Sequence, residues 1–395
     1  MTIDLMREKG VPLDKQSFDW AEIAGPPTSK LDSDAFTRVR IILMNGIEAE
    51  ANRFSHAAAR FNPDLRLPLA KVRRAEQHQQ TLVNWLLPGD LTAIETTLAF
   101  EQVAIELTAH IALTEPDAYI AQGDRFGLLE DFDHLYRFAA LADRVYGIDA
   151  NAITQCYTDI MPGRPTVVEH RAPVDDVRKA YDRRSASPLT KLNVMTLVAS
   201  ENQTHDYYMT IGPTFSNPLA RQLYAEIASI EEQHVTHYES LADGTETWLE
   251  KWVLHEATEV WNYWSCAQSE TDPRVRAIWE RFVAYELGHL HVARSLFEQI
   301  ERRDVAEILP KRLPDAIGFE SHRGFLRQLV ADEVDLRARG TGFVPKRAEG
   351  EESKRYRARI NASGSPSEAV ARDWSWRPGA EPAIAGATRS PRRKS

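Results

Sequence analysis

The chain has 395 residues, of which 43% are hydrophobic, and this length predicts two or three globular domains. Its net charge of −10 argues against general nucleic-acid binding, because a polyanionic partner favours a basic surface. Residues 346–395 depart from this balance, with twelve Lys or Arg against six Asp or Glu, so they carry +6 and the rest of the chain −16.

Cysteine usage and hydropathy bear on the compartment. Cys156 and Cys266 are the only cysteines, and the absence of a CxxC pair fits a reducing compartment and excludes a disulfide framework or a cysteine-iron module. The N-terminus lacks the basic-then-apolar layout of a secretory signal. No uncharged apolar run reaches the roughly 18 residues that a membrane span needs. The sequence therefore predicts a cytoplasmic protein with neither a membrane nor a nucleic acid as partner.

Helical periodicity runs through most of the chain and is broken at segments rich in proline and glycine. It predicts helices over 35–60, 69–87, 91–113, 124–146, 189–211, 217–242, 246–268, 274–300 and 316–338. No segment alternates convincingly as a strand, so the fold class is all-α. The predicted order is a four-helix bundle over 35–146, a connection over 147–187, a second four-helix bundle over 188–300, a C-terminal helix over 301–340 and a disordered basic tail over 341–395.

The two predicted bundles resemble each other in sequence. A gapless shift of 155 residues superposes residues 76–143 on residues 231–298 and aligns turns and acidic positions together. The identical pairs include Gly89 with Gly244, Glu95 with Glu250, Glu101 with Glu256 and His134 with His289. This pattern favours an internal duplication of a four-helix unit over two unrelated bundles of similar composition.

Three histidines have an acidic residue three positions earlier, a number close to that expected by chance, so their positions on the helices matter more than their count. The pairs are Asp131/His134, Glu231/His234 and Glu286/His289. Residues i and i+3 share a helix face, and the last two pairs lie within apolar stripes that a bundle buries. A buried carboxylate is costly unless it is paired or binds a metal. Glu232, next to Glu231, is expected to face outward.

Two further glutamates, Glu201 and Glu256, lie in similar stripes. Glu201, Glu231, Glu256 and Glu286 follow one another at spacings of 30, 25 and 30 residues, which would bring all four to one level of an up-down bundle. The predicted ligands of a dinuclear metal site in the second bundle are therefore Glu201, Glu231, His234, Glu256, Glu286 and His289. Accordingly, Glu286→Ala should abolish metal binding there, whereas Glu76→Ala should change it little.

This ligand pattern resembles the ferritin-like superfamily of rubrerythrins and di-iron carboxylate proteins. The residues that carry the resemblance are Glu201, "EEQH" with Glu231 and His234, Glu256, and "ELGH" with Glu286 and His289. In such bundles two helices each give a glutamate and two others each give Glu-x-x-His. The resemblance implies two iron ions, or alternatively manganese, in a four-helix bundle.

The same register in the first bundle gives Glu48, Glu76, Glu101, Asp131 and His134. The position that matches His234 is Gln79, a poor ligand, and His78 points away from Glu76. The first bundle is therefore predicted to be a degenerate copy, with its metal binding left open.

The resemblance implies redox chemistry with dioxygen or peroxide, as an oxygenase, an oxidase or a peroxidase- or catalase-like enzyme. An oxygenase would need an external reductase or a small-molecule substrate that supplies electrons. The alternative is a non-catalytic iron-binding or iron-handling protein. No catalytic side chain and no organic cofactor site is assigned, and a homodimer is compatible with the sequence. Glu169, His170 and Arg171 in the connection are interpreted as a clamp between the bundles.

Overall fold

The computed structural model describes residues 3–375 except 162, 165, 168 and 169. Within that part of the chain the fold is all-α apart from one small hairpin of β1 (Leu336–Arg339) and β2 (Gly342–Pro345). The helices are α1 (Trp20–Ala24), α2 (Ala35–Phe61), α3 (Arg66–Asn84), α4 (Ala93–Thr114), α5 (Ala118–Leu141), α6 (Ala150–Thr154), α7 (Pro188–Ile211), α8 (Pro218–Glu239), α9 (Trp248–Ser269), α10 (Pro273–Glu301), α11 (Arg323–Glu333), α12 (Glu351–Ile360) and α13 (Pro366–Ala371).

Capping residues explain where the long helices begin. Thr92 at the start of α4 and Thr247 at the start of α9 each form a reciprocal capping box with a glutamate three residues later, Glu95 and Glu250. These are two of the residue pairs that the 155-residue shift aligns. Asp117 and Asp272, also 155 residues apart, cap α5 and α10 through their carboxylates. The aligned acidic positions therefore include helix start signals as well as candidate ligands.

Eight of the nine predicted helices are found with ends that differ by a few residues. The exception is the predicted helix over 316–338, of which the structure forms only α11, because the chain turns into β1 after Glu333. The prediction of a C-terminal helix over 301–340 is therefore correct for about a quarter of its length only.

The eight long helices form four hairpins of consecutive helices, and each hairpin of one half packs against a hairpin of the other half. The four hairpins are α2–α3, α4–α5, α7–α8 and α9–α10. Helix α4 packs against α7 and α5 against α8, whereas α2 packs against α9 and α3 against α10. Contacts of α2 with α7 and α4 hold the two four-helix groups together.

This packing does not follow the predicted division into bundles over 35–146 and 188–300, because each four-helix group takes one hairpin from each range. One continuous core contains Val72 of α3 together with Val260 of α9 and Phe282 of α10. A second core joins Leu128 of α5 to Leu223 of α8. Burial of these apolar faces against each other stabilises the crossed arrangement.

Residues 341–375 were predicted to belong to a disordered tail, but the structure folds them onto the helices. Helix α13 packs against α5 and α8, and the backbone N–H and hydroxyl of Ser367 both donate to Glu226 Oε2 at 2.7 Å. Ser353 is fully buried, and its hydroxyl accepts a hydrogen bond from the backbone N–H of Ala172. The remainder of the predicted tail, residues 376–395, lies outside the described residues.

The N-terminal segment lies directly on α10. The backbone N–H of Val11 donates to the carbonyl of Ala284 at 2.7 Å, and a Cβ added at Gly288 would lie 2.1 Å from the carbonyl oxygen of Val11. Gly10, with a φ of +56°, makes the matching close approach from the other side. Only glycine at both positions permits this contact of backbone with backbone.

We expect Gly288→Ala to lower the free energy of unfolding by about 1–3 kcal/mol, because the new methyl group meets a carbonyl that no side-chain rotation can move. Chemical denaturation measures the change. Gly324→Ala in α11 is the matched control, since a Cβ there meets no atom within 4 Å. The control should be neutral or slightly stabilising through helix propensity. Equal stabilities of the two variants would contradict the close approach.

Candidate metal centres

The candidate ligands fall into two buried clusters, each built from both halves of the chain. Cluster I consists of Glu101, Asp131, His134, Glu201, Glu231 and His234. Cluster II consists of Glu48, Glu76, Gln79, Glu256, Glu259, Glu286 and His289. Helices α4, α5, α7 and α8 supply cluster I, and helices α2, α3, α9 and α10 supply cluster II.

The prediction that the six ligands of the second half meet at one level is wrong in its grouping. Glu201, Glu231 and His234 lie in cluster I, whereas Glu256, Glu286 and His289 lie in cluster II. Regular spacing sets the height of each residue in its hairpin, but it does not determine which hairpins face each other. Both clusters satisfy the same spacing because both halves carry it.

Cluster I converges on the ring of His234. Its Nδ1 lies 3.3 Å from Asp131 Oδ1, 3.3 Å from Glu231 Oε2 and 3.5 Å from Glu201 Oε2. His134 completes the group, with its Nδ1 3.0 Å from Glu231 Oε1. Asp131, His134, Glu231 and His234 each offer an atom within 4.8 Å of the others, a spacing that could hold a metal ion.

Several ligand atoms in cluster I are buried without a hydrogen-bond partner. Each of the six residues is at most 1% exposed. Glu101 Oε2, both oxygens of Asp131, both oxygens of Glu201, Glu231 Oε2 and His234 Nδ1 all lack a well-oriented donor or acceptor. Buried polar atoms are nearly always paired, so this group of facing, unpartnered atoms could hold a metal ion.

Two charged residues outside cluster I, Glu130 and Arg171, fix the ring of His234. Its Nε2–H donates to Glu130 Oε2 at 2.9 Å, and the Arg171 guanidinium binds Glu130 at 2.6 Å. Burial alone would raise the pKa of Glu130, but Arg171 and His234 lower it to about 2. Glu130 therefore stays ionised and accepts Nε2–H, which leaves Nδ1 as the ligand atom that faces the carboxylates.

The ionisable groups of cluster I shift in opposite directions. Burial and the nearby Asp131 carboxylate raise the pKa of Glu201 well above its usual value. Burial alone would lower the pKa of His134, but Glu231 raises it to about 9. Burial alone would raise the pKa of Glu231, but His134 and then His234 lower it. Four carboxylates in one small volume are thus compensated only in part by two histidines.

Cluster II has one imidazole where cluster I has two. His289 Nδ1 lies 2.9 Å from Glu286 Oε2, 3.9 Å from Glu256 Oε2 and 4.0 Å from Glu76 Oε1. Gln79 donates its amide N–H to Glu286 and, at 3.3 Å, to Glu48 Oε1. Glu76 and Glu286 therefore share a cluster, and the contrast predicted between Glu286→Ala and Glu76→Ala loses its basis.

Other candidate side chains have different surroundings. His78 packs against Phe18 and Trp20, with ring centroids 5.3 and 6.1 Å apart, and takes no part in cluster II. His205 is partly exposed beside Asp206. Glu232 is exposed, which confirms that it faces outward.

The sequence interpretation missed Glu130 and Glu259. Glu259 follows Glu256 by one helical turn, a spacing of i and i+3 that could have marked it as a neighbour on the same face. Nothing in the sequence near Glu130 distinguishes it, because its role depends on Arg171 from the distant connection. Of the proposed clamp, Arg171 and His170 are buried, with His170 Nε2 3.1 Å from Glu226 Oε1, and Glu169 lies outside the described residues.

A cavity of about 460 Å³ is lined by residues of α2, α7 and α9 among others, and no residue of cluster I or cluster II lines it. Glu50, Tyr181 and His255 are among the residues that line it. Among the helices that the structure describes, none has the length and apolar character needed to cross a membrane.

Comparisons with known proteins found no matching family model, no similar curated protein and no similar solved structure.

Proposed function

We propose that the protein is a ferritin-like, non-haem dinuclear metalloprotein, and that cluster I holds its metal centre. The unpartnered ligand atoms of Asp131, Glu201, Glu231 and His234, which face one another from three helices, carry this proposal. Iron or manganese is the expected metal, since both accept mixed carboxylate and imidazole donors.

The residues of cluster I fit such a centre. Glu101 and Glu201 are the single glutamates of two helices, and Asp131/His134 and Glu231/His234 are the i, i+3 pairs of the other two, which is the di-iron carboxylate pattern. Asp131 departs from it by one methylene. Four carboxylates would balance the charge of two divalent ions while both histidines stay neutral.

We further propose that the protein is an oxidoreductase that acts with dioxygen or peroxide, because a bound iron or manganese pair supplies one-electron and dioxygen chemistry. The chain's own residues position and isolate the site. Glu130 and Arg171 fix the ring of His234, and the Tyr208 hydroxyl donates to Glu101 Oε1, which leaves Glu101 Oε2 free to bind metal. Burial on all sides favours small reactants over a bulky organic substrate.

A non-catalytic iron-binding protein is the second candidate. The depth of cluster I favours it, because each ligand is at most 1% exposed and the cavity described above is not lined by any of them. The two candidates share the metal centre and differ in whether the bound metal turns over.

Elemental analysis of the full chain after anaerobic loading with iron(II) or manganese(II), followed by assays of peroxide and dioxygen consumption, tests both steps. Glu231→Gln should lose metal from cluster I and all activity, because it removes a charged ligand while keeping the side-chain shape. Glu232→Gln, one residue away and exposed, should keep both. Less than one transition metal per wild-type chain would refute the metal centre. Bound metal without turnover would refute the enzyme and support the second candidate.

A further inference from the structure

Clusters I and II differ by a compensating exchange at two equivalent positions. The 155-residue shift that aligns the two halves matches Gln79 with His234 and Ala104 with Glu259. Cluster I thus combines a histidine with a small apolar residue, and cluster II combines an amide with a carboxylate. Cluster II lacks a histidine ligand at Gln79, but it has an additional carboxylate at Glu259, one helical turn after Glu256.

The geometry of cluster II places two groups of ligand atoms side by side. Glu76, Glu256 and His289 each offer an atom within 4.8 Å of the others, and so do Glu256, Glu259 and Glu286. Glu256 belongs to both groups. A carboxylate has two oxygens, so one residue can serve two neighbouring cations.

Buried oxygens without partners point to a ligand in cluster II independently of this acidic cluster. Both oxygens of Glu259, which is 1% exposed, lack a hydrogen-bond partner, as do Oε2 of Glu48, Glu76 and Glu256. The nearby hydrogen-bond donors bind other oxygen atoms of the cluster. The Tyr263 hydroxyl and the Gln79 amide bind Glu48, and the indole N–H of Trp252 donates to Glu256 Oε1.

We propose that cluster II is a second divalent metal site, in which Glu76, Glu256 and His289 hold one position and Glu256, Glu259 and Glu286 hold a neighbouring all-carboxylate position. Gln79 positions Glu48 and Glu286 through its amide N–H. Because oxygen donors outnumber nitrogen donors here more than in cluster I, cluster II favours manganese(II) over iron(II) relative to cluster I.

Charge supports the same assignment. Five carboxylates meet in cluster II, and His289 is the only basic residue in this cluster. Two divalent cations would balance four of the five charges, and without them these carboxylates would be buried without compensation of their charge.

Manganese(II) titration of the full apo chain, followed by elemental analysis after desalting, tests the second site. Glu259→Gln is expected to lower the bound manganese by about one ion per chain, because it removes a charged donor of the all-carboxylate position. Glu280→Gln, at an exposed position of α10, is the matched control and should bind as wild type. Circular dichroism of the apo variants verifies that Glu259→Gln folds. A folded Glu259→Gln that binds as much manganese as Glu280→Gln, with the same affinity, would overturn the proposal.

A second variant tests the exchange itself. Gln79→His combined with Glu259→Ala gives cluster II the donor set of cluster I, and its preference for manganese over iron should fall towards that of cluster I. The background Glu231→Gln, which disables cluster I, isolates the measurement at cluster II. If the Glu231→Gln protein still binds manganese, the second site is supported, whether or not cluster I has any activity. Complete loss of manganese from the Glu231→Gln protein would overturn the second site. An unchanged metal preference in the double variant would overturn the assigned role of Glu259.

Discussion

Replacing His134 by alanine is expected to remove metal from cluster I as fully as replacing His234, and to abolish any activity with dioxygen or peroxide. His134 belongs to the first half of the chain, but its Nδ1 lies 3.0 Å from Glu231 Oε1 of the second half. Loss of a ligand should cost more than the roughly 10–100-fold in affinity that loss of an outer-shell partner costs. A metal site confined to residues 188–300 would not respond to this substitution.

Isothermal titration of the apo protein with manganese(II) measures the effect. His205→Ala is the control, since His205 lies partly exposed beside Asp206 and should leave binding unchanged. His134→Gln keeps a polar side chain of similar length and serves where the alanine variant folds poorly. Wild-type affinity at cluster I in a folded His134 variant would refute the assembly of this site from both halves.

Replacing Arg171 by methionine is expected to lower the free energy of unfolding by about 3–5 kcal/mol, because the buried carboxylate of Glu130 loses its cation. The Arg171 and Glu130 side chains are at most 1% exposed, so water cannot take over the role of the guanidinium. Metal affinity at cluster I should also fall by about 10–100-fold, because Glu130 then holds the ring of His234 less firmly.

Urea denaturation and manganese titration of the same variant separate the two effects. Adding Glu130→Gln to Arg171→Met should recover part of the lost stability, because the uncompensated charge disappears. The glutamine carbonyl can still accept the Nε2–H of His234, but Arg171 no longer holds residue 130 in place, so metal affinity should stay low. A double variant less stable than Arg171→Met would contradict the buried ion pair as the cause.

Most of the helical architecture could be predicted from the sequence. The start of α9 illustrates the reason, because the Thr247 and Glu250 capping box and the apolar stripe behind it are local patterns. The C-terminal region could not be predicted in this way. Residues 351–371 are mostly polar, and their contacts are with distant segments, such as those of Ser353 with Ala172 and of Ser367 with Glu226.

The burial of the candidate ligands was predicted from the sequence, but their assembly was not. Glu201, Glu231, His234, Glu256, Glu286 and His289 all lie in buried clusters, as their apolar stripes indicated. Their division into two clusters was not predictable, because the spacing of 30, 25 and 30 residues recurs closely in both halves. Asp131 and His134, assigned to a degenerate copy, lie in cluster I with Glu231 and His234.

The sequence by itself determined where the eight long helices between residues 35 and 301 lie, which of their faces are buried and which polar residues lie on those faces, because these follow from periodicity along a single chain segment. Only the tertiary structure decided that α4–α5 faces α7–α8 and that α2–α3 faces α9–α10. Apolar helix faces of the same period can pack in more than one pairing, and the choice depends on side-chain fit across the whole core. That choice places His234 beside Asp131 and Gln79 beside Glu286, and with them it sets the donors of both clusters.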